Sequence, residues 1–184
     1  KGYTIQPYSP KAGTGLSSHE VNQPGSYRDV TDTSCVTQFK LIDASASPFG
    51  GGRREDNESW NNDEIFLLAW TTTPWTLPSN TALTVGPKID YVLVKTYNPY
   101  TFEKVNVVLA KNLVSYQFSK GFQKVEDESE LLAYKEGDKT IPFFMAGECV
   151  GQDLIGLKYE QLLPYTLPAE NPEKAFVVIG GDFV

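Results

Sequence analysis

The sequence has few of the residues that build disulfide scaffolds and metal centres. Among its 184 residues there are 2 cysteines, Cys35 and Cys149, and 1 histidine. Two cysteines are too few for a disulfide scaffold, and with one histidine they do not make a conventional zinc site. We expect two reduced thiols and no metal site. A bridge between the cysteines stays open, because it depends on their Cα separation.

Long apolar runs are also missing. Runs such as residues 65–70 have the length of a strand and fall short of the roughly 18–20 residues of a membrane-spanning helix. The first residues, KGYTIQPYSP, lack the charged start, apolar core and small-residue cleavage site of a secretory signal peptide. These absences predict a cytoplasmic protein without a membrane partner.

Basic side chains are outnumbered by acidic ones. The 16 lysines and arginines against 23 aspartates and glutamates give a formal charge of −7. This balance argues against a protein that holds duplex nucleic acid through its own basic field. The composition is 40% hydrophobic, and the length suits one globular domain of about 100–200 residues.

What the sequence does contain is a series of short β-rich runs separated by glycine and proline. Strands are predicted at residues 35–42, 65–70, 81–85, 89–96 and 104–110. Helix-like spacing of apolar residues is confined to short stretches around Leu113 and Leu131. We therefore predict a mainly β fold, α+β or β-barrel in kind, with a few short helices.

Two stretches break this pattern. Residues 1–30 are interrupted by prolines and glycines, and residues 43–63 are small, polar and glycine-rich. We predict that the second stretch is a flexible surface loop. The sequence starts without Met and stops within an apolar run at Val184, so we expect an excised piece of a longer chain.

The most unusual segment is WTTTPWTLPSN, residues 70–80. Three threonines follow an apolar run and place hydroxyls at a strand end, and Pro74 and Pro78 then interrupt regular pairing. Threonine hydroxyls both donate and accept hydrogen bonds, and Trp75 supplies a flat apolar wall. The residues alone leave two interpretations open: a polar ligand site, or a threonine-rich edge strand that runs into a proline turn.

This run, followed by TALTV, closely resembles the threonine-rich peptide of the editing domain in isoleucyl-tRNA synthetases. That domain is an insertion in the class I catalytic fold that hydrolyses mischarged tRNA. Valyl and leucyl relatives carry an arginine after the paired threonines, whereas this chain has Thr73. The sequence therefore resembles the isoleucyl branch.

Other parts of the chain fit the same family. Residues 1–30 look like the lead-in segment from the catalytic body, and the run Gly151 to Pro164 fits the pattern GxxLxGxxYxxLxP. The terminal AFVVIGGDFV resembles the strand before the family's second editing motif. The resemblance implies one barrel-like editing domain over residues 1–184, with its C-terminal part missing.

The resemblance also implies a reaction, the hydrolysis of valine mischarged onto isoleucine tRNA. One methylene distinguishes valine from isoleucine at an activating site by only about 1–3 kcal/mol, a magnitude for which this family is itself the standard example. A second pocket then admits valine and excludes isoleucine by size. A positioned water attacks the ester carbonyl, and polar groups stabilise the developing oxyanion.

Five residues receive roles through the resemblance. Thr71, Thr72 and Thr73 are expected to contact the substrate and its water, Trp75 to form a wall of the side-chain pocket, and Asn80 to approach the terminal adenosine. The implied partners are the CCA end of isoleucine tRNA and the catalytic body of the parent ATP-dependent ligase. No metal or organic cofactor is implied for this domain.

The family's second motif, GTGxVHxxP followed by an aspartate, does not occur in the sequence. The GTG at residues 13–15 and His19 lack its valine and proline, so we predict an exposed or structural His19. We likewise predict turn and surface roles for Glu148 and Asp153, and a helix entrance for the acidic run 126–128. We therefore expect no complete catalytic set here and weak or no activity from the isolated fragment.

Two alternatives stay open. The first is a non-catalytic binding module in which the threonine strand end docks a peptide, a nucleotide or a partner domain. The second is an editing domain for another amino acid, which Thr73 and the complete eleven-residue run disfavour.

Overall fold

The computed structural model describes residues 5–49, 60 and 64–184 of the chain. The chain divides into two compact units, residues 1–33 and residues 34–184. No helix within the described residues is long and apolar enough to cross a membrane.

The first unit contains a short antiparallel strand pair and one helical turn. Strands β1 (Tyr8–Ser9) and β2 (Thr14–Gly15) pair, and helix α1 spans Ser18–Val21. The Ser17 hydroxyl accepts from the Glu20 backbone N–H, and the Glu20 carboxylate accepts from the Ser17 N–H at 2.8 Å. This capping box satisfies N–H groups at the helix start and sets its first residue.

The second unit contains the remaining strands and several short helices. The strands are β3 (Cys35–Lys40), β4 (Ile65–Thr71), β5 (Ala82–Val85), β6 (Asp90–Tyr97), β7 (Lys104–Ala110), β8 (Phe122–Lys124), β9 (Ile141–Val150) and β10 (Val177–Gly180). The helices are α2 (Val114–Gln117) and 3-10 turns at Ala44–Ala46, Pro74–Ser79, Lys111–Leu113, Glu128–Ala133, Gly151–Leu154 and Pro172–Lys174.

Six strands form the main sheet, in the order β3-β4-β7-β6-β9-β8. The β4–β7 and β8–β9 pairs are parallel, and the other three pairs are antiparallel. Strands β5 and β10 form a separate parallel pair in which Ala82 lies opposite Val177. The predicted mainly β fold with short helices is confirmed. Its described strands form open sheets and not a closed barrel, because β3 and β8 remain edges of the main sheet.

The main sheet is covered on both faces. Leu93 packs in one buried cluster with Tyr159, whereas Val92 and Val94 pack in another with Phe118. Neighbouring residues of a strand point to opposite faces. Burial on both faces therefore explains why the central strands read as nearly continuous apolar runs.

A segment at residues 156–160 joins the two sheets. The Gly156 N–H donates to the Val178 carbonyl of β10 at 2.9 Å. At the other end of the segment, the Glu160 N–H donates to the Lys40 carbonyl of β3 at 2.8 Å. Strand β10 is thus hydrogen-bonded on both of its edges, by β5 and by this segment.

The predicted strands are found, and one further long strand was not predicted. Strand β9 is 10 residues long and pairs with both β6 and β8. Its sequence contains Pro142 and Gly147, two residues that are rare in strand interiors. Gly147 lies at a break in the register between β6 and β9. The strand was not predicted because its sequence lacks a regular strand pattern.

The stretch predicted to be a flexible loop is described only in part, since residues 50–59 and 61–63 lie outside the described residues. Within it, Trp60 is 5% exposed and donates from Nε1 to Asn106 Oδ1 at 2.7 Å. Its ring meets Tyr97 edge-on, with the centroids 5.2 Å apart. This indole belongs to a hydrophobic cluster. The polar residues around Trp60 in the sequence gave no indication of this burial.

Candidate functional site

The candidate site begins where β4 ends. Thr71 is the last residue of β4, and the 3-10 helix Pro74–Ser79 starts with a proline, whose missing N–H is not needed there. The Thr73 N–H donates to Thr71 Oγ1 at 3.0 Å, and Thr76 Oγ1 donates to the Thr73 carbonyl at 2.7 Å. Threonine hydroxyls therefore shape residues 71–80, which we call the threonine turn.

Thr72 differs from its two neighbours in the turn. The Thr71 and Thr73 hydroxyls lie 3.3 Å apart and bond to each other. The Thr72 side chain is exposed and makes no hydrogen bond with the described part of the chain. Its hydroxyl is thus available to a ligand as donor or acceptor without the loss of an internal bond.

The threonine turn forms one wall of a cavity of about 490 Å³. The lining residues with hydroxyl or amide groups are Thr37, Thr71, Thr76, Ser79, Asn80 and Thr81. The apolar lining residues are Phe39, Ala69, Trp70, Leu77, Ala82 and Leu83. A cavity of this size with apolar walls and a few placed polar groups is typical of sites for small ligands.

Strand β3 reaches the cavity through alternate residues. Thr37 lies opposite Ala69 of β4, and Phe39 lies opposite Leu67. Because alternate residues of a strand share a face, Thr37 and Phe39 both point toward the cavity side of the sheet. The edge strand thereby adds one hydroxyl and one buried ring to the lining.

Asn80 closes the threonine turn at its other end. Its Oδ1 accepts from the Tyr159 hydroxyl at 2.6 Å, and its Nδ2 donates to the Ala82 carbonyl at 3.0 Å. Tyr159 is fully buried, and burial raises its pKa to about 12 although the bond to Asn80 acts in the opposite direction. The hydroxyl therefore stays protonated, as a donor must, at neutral pH.

The five residues predicted to bind substrate lie together in one turn, but they do not all line the cavity. Thr71 and Asn80 are lining residues, whereas Thr72, Thr73 and Trp75 are not. The Trp75 side chain is 63% exposed. Its expected role as a pocket wall stays a prediction, as do the contacts expected for the threonines.

Sequence reasoning gave no site role to ten of the twelve described lining residues, which include Thr37, Thr76, Ser79 and Trp70. Thr37 lies in an alternating strand whose facing direction the sequence did not assign, and Thr76 and Ser79 lie inside the recognised run without a role. Trp70 lines the cavity and is 63% exposed. The repeated hydroxyls of residues 70–80 were the signal that could have found Thr76 and Ser79.

The acidic residues set aside in the sequence have structural partners. Glu148 forms an ion pair with Lys111 at 2.6 Å, and the Asp153 carboxylate accepts from the Val150 N–H at 3.2 Å. Asp127 accepts from the Ser129 N–H at 2.8 Å and caps the 3-10 helix that follows. The predicted surface, turn and helix-entrance roles are confirmed.

His19 and the two cysteines do not join the cavity lining. His19 is exposed, as predicted, with Nε2 2.8 Å from Gln23 Nε2. Both cysteines are free, and burial together with the Asp153 charge raises the pKa of Cys149 to about 11. Among the described residues, no group of three or more His, Cys, Asp and Glu side chains is arranged to hold a metal ion.

Isoleucine–tRNA ligases are among the curated proteins similar to this chain. That of Cytophaga hutchinsonii is 58% identical over 184 residues, and that of Bacteroides thetaiotaomicron is 54% identical over 192 residues. Both alignments cover 100% of this chain and 15% of the relative. The ligase of Clostridium tetani is 38% identical, again over the whole chain and over 13% of its own length. No family model matches the chain.

Two solved structures align with most of this chain at low similarity. The P. knowlesi cytosolic leucyl-tRNA synthetase editing domain aligns with a TM-score of 0.47 and 14% identity, over 81% of this chain and 51% of that one. GlLeuRS-CP1 aligns with a TM-score of 0.46 and 13% identity, over 83% and 48% of the two chains. Similarity at this level does not bear on function.

Proposed function

We propose that this chain is part of an editing domain that hydrolyses valine esterified to isoleucine tRNA. The chain belongs to the isoleucine–tRNA ligase family, and it corresponds to a segment of the family's members. The identity along the whole chain supports the family. The observation that carries the activity is the threonine turn, whose hydroxyls border a cavity of about 490 Å³ with partly apolar walls.

The mixed lining suits an aminoacyl ester. Phe39, Ala69, Leu77 and Leu83 give the cavity apolar surface for an aliphatic side chain. A rigid apolar wall accepts valine and rejects isoleucine by overlap, because a packed interior tolerates an extra methylene poorly. Selection by size suits a second sieve, since affinity alone separates the two amino acids weakly.

The polar half of the lining suits the hydrolysis. Ester hydrolysis needs a water held against the carbonyl and donors for the oxyanion that develops. The hydroxyls of Thr71 and Thr76 line the cavity, and the exposed hydroxyl of Thr72 lies in the same turn. We propose that these three hydroxyls supply such contacts. In this proposal the water is the nucleophile, and the domain uses no metal or organic cofactor.

The chain spans about 15% of the length of the curated relatives that it matches. The histidine motif of the family is not within these 184 residues. We therefore propose that hydrolysis belongs to the full-length ligase, and that the chain alone supplies substrate-binding groups with weak or no activity.

The proposed partners are the CCA end of isoleucine tRNA and the catalytic body of a cytoplasmic, ATP-dependent ligase. A formal charge of −7 is compatible with this role, because a single-stranded end offers few phosphates and stacks or hydrogen-bonds through its bases. The other domains of the ligase then carry most of the phosphate contacts.

The test is the deacylation of valyl-tRNA and isoleucyl-tRNA of the isoleucine type. We expect the full-length ligase to hydrolyse the valyl ester and to spare the isoleucyl ester, and Thr72→Ala with Thr73→Ala to abolish most of this hydrolysis. Thr101→Ala, an exposed threonine of the β6–β7 turn outside the cavity lining, is the matched control and is expected to leave hydrolysis unchanged.

Two results would reject the proposal. Unchanged valyl-tRNA hydrolysis in the double threonine variant would remove the threonine turn from the activity. Absence of hydrolysis in the unaltered ligase, together with binding of a valyl-adenosine analogue near Trp75, would favour a non-catalytic docking module.

A further inference from the structure

The orientation of the Asn80 amide is fixed by its neighbours. The Ala82 carbonyl can only accept a hydrogen bond, so the amide nitrogen of Asn80, 3.0 Å away, must face it. A reversed amide would set two acceptor oxygens against each other. The Asn80 oxygen therefore faces the Tyr159 hydroxyl, which donates to it at 2.6 Å.

Tyr159 is itself held rigidly. Its side chain is 0% exposed, and its ring meets Phe39 edge-on with the centroids 5.3 Å apart. It also meets Phe176, with the centroids 6.1 Å apart, and its backbone N–H donates to the Phe176 carbonyl at 3.0 Å. A donor fixed by packing against two rings holds its acceptor in one position.

We propose that Tyr159 is a positioning residue of the editing site, which locks Asn80 so that one amide N–H remains for an acceptor atom of the bound ligand. Asn80 lines the cavity, and Tyr159 is not among the lining residues. Tyr159 therefore acts through Asn80, from 79 residues further along the chain. The inference rests on the proposed function and narrows it.

The proposal specifies the chemistry of the contact. One of the two Asn80 amide hydrogens is used by Ala82, and the amide oxygen already accepts a short bond. The second amide hydrogen is left as a donor for the ligand, and the ligand atom that matches it is an acceptor. A ring nitrogen or a ribose oxygen of a terminal nucleoside has this character.

The experiment compares two tyrosine variants in the full-length ligase. Tyr159→Phe keeps the ring and removes the hydroxyl. Tyr91→Phe is the matched control, because Tyr91 is buried in the same cluster and its hydroxyl accepts from the Gly86 N–H, away from the cavity lining. Each variant loses one buried hydrogen bond, so both are expected to lower the unfolding midpoint by similar, small amounts.

The activity readout separates the two variants. For valyl-tRNA hydrolysis we expect Tyr159→Phe to raise KM about 3- to 10-fold with kcat within about twofold, and Tyr91→Phe to change neither. In an Asn80→Ala background, Tyr159→Phe is expected to have no further effect, because its partner is gone. An equal effect of both tyrosine variants, or an undiminished effect in the Asn80→Ala background, would overturn the proposal.

A binding assay distinguishes this inference from the proposed function. The probe is 3′-valylamino-3′-deoxyadenosine, in which an amide replaces the ester, and its Kd is measured for the same variants. A ligase that binds the probe without hydrolysing valyl-tRNA refutes the editing activity, and the Kd ratio of the variants still decides the role of Tyr159. A ligase that does neither refutes both.

Discussion

The threonine turn and the segment at residues 151–160 are built alike but have different surroundings. Each contains a 3-10 helix that follows a strand of the main sheet. In the threonine turn no residue is buried, and the hydroxyls of Thr71, Thr73 and Thr76 bond to one another. In the second segment, Leu154 and Tyr159 are 0% exposed, and the Gly151 N–H donates to the Ile89 carbonyl at 2.9 Å.

Both segments stand out in the sequence, for different physical reasons. The residues at 151–160 are needed by their neighbours, because they fill the core and connect the two sheets. The exposed threonines are not needed by the core, and we propose that a ligand explains their pattern. The comparison predicts that changes in residues 151–160 lower the free energy of unfolding, whereas changes in the threonine turn alter function and leave stability nearly unchanged.

The largest effect on stability is expected from Leu154→Ala. This side chain is fully buried in the cluster between the two sheets, so its loss leaves a cavity and lowers the free energy of unfolding by about 2–5 kcal/mol. Urea denaturation of the chain measures the change. Leu167→Ala, at a side chain 62% exposed, is the control, and equal midpoints for the two variants would contradict the prediction.

The next effect separates two glycines of the same segment. A Cβ at Gly151 would lie 2.1 Å from the Gly86 carbonyl oxygen, and this backbone atom cannot move without shifting the chain. Gly151→Ala is expected to cost about 1–3 kcal/mol through overpacking. Gly156 has φ +91° and open space around it, so Gly156→Ala costs about 1 kcal/mol through backbone strain alone. Denaturation midpoints in the reverse order would be evidence against the close approach at Gly151.

A pH effect follows from the buried Tyr159 hydroxyl. Its pKa is raised by burial from an ordinary value of 10 to about 12. The unfolded chain therefore loses this proton first, and the associated stability is complete below pH 10 and is lost as the pH rises toward 12. Unfolding free energies between pH 9 and 12 are expected to fall less steeply in Tyr159→Phe. Burial also raises the pKa values of Tyr91 and Tyr97, so the stability of Tyr159→Phe still falls as the pH rises. Identical slopes of unfolding free energy against pH in the variant and the unaltered chain would contradict the prediction.

The smallest effect on stability is expected in the threonine turn. Thr72→Val removes an exposed hydroxyl that has no partner in the described part of the chain, so the free energy of unfolding changes by less than about 0.5 kcal/mol. Valyl-tRNA hydrolysis by the full-length ligase is expected to fall at least about 10-fold. Thr101→Val serves as the control. A loss of stability in Thr72→Val equal to that in Leu154→Ala would contradict the difference predicted between the two segments.

Local patterns in the sequence predicted much of the fold. Alternation and apolar runs indicated β3, β4, β5, β6 and β7, and the pairing of β6 with β7 around Asn98 follows from turn chemistry at short range. Strand β9 escaped prediction because Pro142 and Gly147 carry unfavourable strand propensities. Its neighbours β6 and β8 supply the pairing that overrides those propensities.

The candidate site was predicted in its location and only partly in its members. The hydroxyl-rich run located the turn, because consecutive threonines and prolines have direct local consequences. Thr37 was missed because its position in the cavity depends on the register of β3 against β4. Asn80 was expected to contact a nucleoside, and its bonds to Tyr159 and Ala82 emerged only from the packed structure.

The sequence by itself determined the acidic charge, the mainly β character and the threonine turn, since each depends on composition or on residues close together in the chain. The tertiary structure alone decided which distant residues meet. Trp60 reaches Asn106 across 46 residues, and Tyr159 reaches Asn80 across 79. Such contacts depend on strand register and on how both faces of the sheet are filled. No short stretch of sequence determines either of these.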